Sequence, residues 1–101
     1  MGFAVGEWIA SHTQVLEVLE GGQGFEAYRV LHGDAVPREI VLHRYRVRLP
    51  LDSATLRSAA RDLPLYELRV VGDLDDAILE LYGDSDAVER FRTRYHRRWP
   101  R

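Results

Sequence analysis

Arg44, Arg46 and Arg48 stand at alternate positions of one apolar run, and of all the groups in this chain they offer the clearest chemistry. In an extended strand successive side chains point to opposite faces, so these three guanidinium groups leave from one side. Such a row can meet the phosphates of a nucleic acid, with neighbouring aromatic rings stacking on bases. It can equally be neutralised across a sheet, because Glu26, Glu67 and Glu80 lie in other strand-like runs. A second basic group comprises Arg90, Arg92, Arg94, Arg97, Arg98 and Arg101, in a stretch without acids. Residues 62–89 hold nine acids and Arg69 alone. The field of a helix accounts for part of that segregation, by favouring acids at its start and cations at its end. The rest leaves a patch for phosphate or an acidic partner. The candidate interaction surface is therefore Arg44, Arg46, Arg48, Arg90, Arg94, Arg97 and Arg98. Nucleic acid is the less favoured partner, since no strand carries the aromatic RNA-binding pattern and the isoelectric point is about 6.1.

Other chemistries fall away by composition. All 14 strongly basic residues are Arg, and there is no Lys, Asn or Cys. Lysine-dependent phosphate loops, Schiff bases, thiolate nucleophiles, disulfides and cysteine-ligated metals are excluded. The joint loss of Lys and Asn, which share A-rich codons, points to a high-GC bacterial genome. The acids Asp73, Asp75, Asp76, Asp84 and Asp86 do not follow the calcium-loop spacing, and they read as turn-forming and helix-capping residues. His12, His32, His43 and His96 are scattered, none at the spacing of a helical zinc pair, though His32 and His43 could approach across a hairpin. Gly21-Gly22-Gln23-Gly24 precedes a strand, whereas a phosphate-cradling loop follows one. No catalytic constellation, cofactor site or metal site is expected.

The elements that must position these groups follow from periodicity. Trp8, Ile9, Val15, Leu16 and Leu19 recur at helical spacing, which predicts a helix over 7–20 ended by Gly21 and Gly22. Strands are predicted at 25–32 and 38–49, joined by the short connection 33–37 as an antiparallel hairpin. Asp52 or Ser53 caps a helix that Pro64 terminates. Strands at 65–71 and 77–82 flank an acidic turn. A last helix from Asp86 carries the stripe Val88, Phe91, Tyr95 and Trp99. The two strand-strand-helix halves also resemble each other, as two amphipathic units under the same packing demand would or, less favoured, as a duplication would.

This order predicts one α+β domain spanning residues 1–101. It would be a permuted ferredoxin-like, four-stranded antiparallel sheet with both later helices on one face and the first helix at an edge or across the other. At 46% hydrophobic, 30% charged and a net charge of -2, the composition is that of a soluble protein. No signal peptide or membrane span is legible, so the expected location is cytoplasmic. An open sheet of this size leaves a face and edges uncovered, and a homodimer is expected. The functional expectation is a non-enzymatic interaction or regulatory module that self-associates. Nucleic-acid binding through surface arginines and small-ligand sensing are the alternatives.

Overall fold

The stretch read as an N-terminal helix is a β-hairpin. In the computed structural model, which describes residues 2–98 with the side chains of 96–98 excepted, β1 (Trp8–Ala10) turns at Ser11 and His12 into β2 (Thr13–Glu20). The helical spacing was produced by two β-bulges. β2 advances two residues for one of its neighbour between Val15 and Glu17, and again between Val18 and Glu20. Each bulge inserts an apolar residue, Leu16 and then Leu19, and resets the alternation. A strand with period two broken twice thus mimics a period near 3.6.

The remaining elements lie within two residues of the expected bounds, apart from the earlier end of the first helix. They are β3 (Phe25–His32), β4 (Arg38–Val47), α1 (Ser53–Ala60), β5 (Leu65–Val71), β6 (Ala77–Gly83) and α2 (Ser85–Arg98). Asp52 caps α1 by accepting from the Ala54 amide at 3.0 Å and the Thr55 hydroxyl at 2.7 Å. That helix ends before Pro64, because Asp62 already has φ +60°. Gly72 makes the β5–β6 turn with φ +97°, where a Cβ would fall 2.5 Å from the Asp76 carbonyl oxygen.

All six strands form one antiparallel sheet in the order β1-β2-β3-β4-β6-β5, curled into an open half-barrel. This corrects the four-stranded ferredoxin-like expectation. The N-terminal hairpin pairs with the outer edge of β3 instead of packing as a helix, so two strands are added to the sheet.

Both faces carry a core. On one, Val41, Tyr45, Val47, Leu79 and Leu81 pack against Ala59 of α1 and Val88, Phe91 and Tyr95 of α2. The rings of Tyr45, Phe91 and Tyr95 meet with centroids 5.3–6.0 Å apart. Trp99, the last residue of the expected stripe, and Arg101 lie outside the described residues. On the other face Val15, Tyr28, Val30, Ile40, Leu42 and Tyr82 are covered by Phe3 and Ile9. Ile40 and Leu42, on the same face of β4 as Arg44, are therefore buried within one chain and not offered to an interface. No helix among the described residues is long and apolar enough to cross a membrane.

Candidate functional site: the helix-free face

The strand register sets one charged residue from each of four strands in a single row. Glu26 of β3 lies opposite Arg44 of β4, Arg44 opposite Glu80 of β6, and Glu80 opposite Arg69 of β5. The row is closed by ion pairs: Arg44 Nη1 to Glu26 Oε1 at 2.9 Å, Arg44 Nε to Glu80 Oε2 at 3.0 Å, and Arg69 Nε to Glu80 Oε1 at 2.8 Å. The Glu80 side chain is 3% exposed and that of Arg44 11%. Charges so withdrawn from water persist only when paired and hydrogen-bonded. Around them, Tyr28 donates to Glu26 at 2.9 Å and accepts from the Phe3 amide at 2.9 Å, while the Phe3 ring lies 4.5 Å from the Arg44 guanidinium carbon. Burial pushes the Tyr28 and Tyr82 hydroxyls up from their ordinary pKa, so both stay protonated. Both oxygens of Glu80 accept from arginine and the side chain is withdrawn from solvent, which suits it to ion pairing and not to general-base work on a substrate.

Two clefts flank the row. One, of about 440 Å³, lies between the turn at Gly22–Gly24 and the side chains of Arg44, Arg46 and Ile78. The other, of about 380 Å³, is lined by His32, Gly33, Val36, Arg38, Ile40 and Tyr66. Behind the second cleft His32 stacks on Tyr82, with centroids 4.6 Å apart, and neighbours His12 at 5.3 Å. Its Nδ1 lies 2.6 Å from the Thr13 hydroxyl, and its Nε2 lies 3.6 Å from Glu67. Burial lowers the His32 pKa, which keeps the ring neutral near pH 7. Hydroxyl, imidazole and carboxylate occur here in triad order, but Thr13 is 1% exposed and offers no approach to a substrate carbonyl.

The expected basic surface is consumed within the fold at Arg44 and Arg94, whereas Arg48 and Arg90 form exposed surface pairs. Arg44 sits inside the row, Arg48 lies 3.6 Å from Asp75, and Arg90 pairs with Asp86 one helical turn away. Arg94 donates to the carbonyls of Arg61 at 2.6 Å and Ala59 at 3.4 Å, tying α2 to the end of α1. Arg46 is exposed at the larger cleft. The side chains of Arg97 and Arg98 lie outside those described. Of the acids suspected across the sheet, Glu26 and Glu80 pair with Arg44, whereas Glu67 lies 3.7 Å from Arg69.

His32 and His43 do not meet, since they point to opposite faces. His43 is buried under α2, where burial and the nearby Arg92 cation push its pKa down to about 4. Among the described residues no group of three or more His, Asp or Glu is placed to hold a metal ion. Sequence reasoning missed Arg38 and Tyr66. The signal for Arg38 was its even spacing from Arg44, which puts both on one face of β4. Compared with family models, curated proteins and solved structures, the chain matches none.

Proposed function

We propose that this domain is a non-enzymatic interaction module whose copies join in pairs through the outer edge of β5. The observation that carries this reading is the self-complementarity of that edge. β5 ends the sheet and presents seven residues, Leu65–Val71, with one irregularity at its start. An antiparallel pairing about a two-fold axis at Leu68 sets Leu68 against its own copy, Glu67 against the other copy's Arg69, and Arg69 against the other copy's Glu67. The Glu67 and Arg69 side chains are a little over a third exposed on one face and lie 3.7 Å apart, with Arg69 also held by Glu80, so pairing would share this charge set between the two copies. Opposite charges in register and a matching apolar pair favour edge-to-edge association of identical strands. The far edge is less suited, because β1 has three residues and β2 is bulged twice.

A binding role also fits a face whose buried carboxylates are held by arginine and whose histidine-linked hydroxyl is enclosed. Nucleic-acid contact has less support, because Arg44 and Arg94 are held within the fold and Arg48 and Arg90 each have a carboxylate beside them.

Size-exclusion chromatography with light scattering is expected to give about twice 11.7 kDa at micromolar concentration. Val70→Lys, which adds a charge to the edge, and Glu67→Arg, which sets Arg against the other copy's Arg69, are each expected to yield folded monomers by circular dichroism. A wild-type monomer at about 100 µM, or a dimer indifferent to both variants, overturns the proposal.

A further inference from the structure

The smaller cleft on the helix-free face contains an arginine without a carboxylate. Arg29 holds Glu17 and Glu39, Arg44 holds Glu26 and Glu80, and Arg69 holds Glu67 and Glu80. Arg38, in contrast, has no acidic partner among the described residues, and its Nη1 donates only to the Tyr66 hydroxyl at 3.3 Å. The topology explains the space around it. β6 ends at Gly83, opposite Val41 of β4 and Leu65 of β5. The first residues of β4 run on past that end, so a gap opens between β4 and β5 where their common neighbour stops. The irregularity between Leu65 and Glu67 lets Tyr66 lean across the gap to Arg38, with its ring 5.8 Å from the guanidinium carbon.

We infer that this cleft binds a small organic acid, with the carboxylate on Arg38 and Tyr66 and an apolar or aromatic body against Ile40 and Val36. A guanidinium presents a planar fork that matches a carboxylate in two parallel hydrogen bonds. Tyr66 supplies a third donor once the carboxylate accepts the Arg38 hydrogen bond that the phenol oxygen now accepts. Ile40 is buried at the wall, and Val36 on the hairpin is exposed at the mouth. The volume, about 380 Å³, lies in the range of small-molecule sites, which pair apolar walls with a few convergent polar groups. His32 borders the cleft as a neutral ring, and Glu67 beside it repels a second negative charge, which favours a monoanion. The larger cleft is a poorer candidate, since its Arg44 is committed to Glu26 and Glu80 and no tyrosine hydroxyl lines it beside Arg46.

The test uses benzoate as probe, with benzyl alcohol and inorganic phosphate as comparisons, read by amide shifts in two-dimensional NMR of the whole chain. Benzoate is expected to move the resonances of His32, Arg38 and Tyr66 with millimolar affinity, and the other two compounds much less. Arg38→Gln is expected to weaken benzoate about tenfold or more, since a charge-assisted bond is lost. Arg46→Gln in the other cleft should leave it unchanged. Val70→Lys is expected to retain benzoate binding, so failure of the edge pairing and failure of this site are separate results. No shifts at about 20 mM benzoate, shifts insensitive to Arg38→Gln, or equal response to phosphate would overturn the assignment.

Discussion

The two faces of the sheet are built from the same strands and solve burial in opposite ways. Along β4, Val41, His43, Tyr45 and Val47 point toward the helices, while Ile40, Leu42, Arg44 and Arg46 point away. Beneath α1 and α2 the face is apolar, and the one histidine it encloses is held neutral. On the helix-free face, where a few N-terminal residues are the cover among the described residues, charges are kept in the row from Glu26 to Arg69 and neutralised strand by strand. A helix layer brings many apolar contacts and few partners for charge. A sheet row brings partners at fixed spacing, one per strand. Which kind of polar group a face can bury thus depends on whether its neighbours are strands or helices.

The largest expected effect lies on the helix-covered face. Phe91→Ala removes a fully buried ring from the centre of the aromatic group and should cost about 3–5 kcal/mol in urea titration. A loss under about 1 kcal/mol would place the stabilising core on the other face. Next, Arg44→Leu leaves Glu26 without a cation and Glu80 with Arg69 alone, and should cost about 3 kcal/mol. Replacing Glu26, Arg44 and Glu80 together by apolar residues is expected to recover much of that loss. If the triple variant is as unstable as the single one, the row stabilises the fold beyond cancelling its own desolvation.

The smallest effect at neutral pH, and the most specific, concerns His43. Its Nε2 faces Glu89 at 3.3 Å, Arg92 and Glu20 lie close by, and Tyr45 and Phe25 pack on the ring. Glu89 is exposed and well screened, so burial and Arg92 prevail. The folded chain does not take up this proton until about pH 4, whereas the unfolded chain does so near 6.5. Stability is therefore complete above about pH 6.5 and falls as pH drops toward 4, by up to about 3 kcal/mol. His32, also depressed by burial, contributes with the same sign. His43→Leu should flatten the slope of unfolding free energy between about pH 7 and 5. An unchanged slope would mean that the face admits a charged imidazole.

The two faces also differ in how far they could be read from the amino acids. The helix-covered face was legible, because Val88, Phe91 and Tyr95 keep a regular helical interval and β4 alternates without interruption. The arginine alternation was legible too, as were Glu26 and Glu80 as its partners, since both follow from strand parity. What stayed hidden depends on irregularity. Leu16 and Leu19, each inserted at a bulge, disguised a strand as a helix and removed two strands from the expected sheet. The cleft at Arg38 exists because β6 stops at Gly83 while β4 extends past it, an offset set by hairpin register and carried by no local motif. Arg94 read as surface charge, because its carbonyl partners lie over thirty residues away, on another helix.

The bulges in β2 carry a further consequence, for the stoichiometry of assembly. A sheet with two regular edges is divalent, and each added copy exposes a fresh end, so growth has no natural stop. Here the short β1 and the twice-interrupted β2 terminate one end of every sheet, and β5 alone remains for addition. A monovalent unit that joins through a two-fold contact consumes its only valence in doing so. If copies pair through β5 as proposed, such a chain would form pairs and stop, and the two residues that obscured its fold in the sequence would also keep it from growing into fibres.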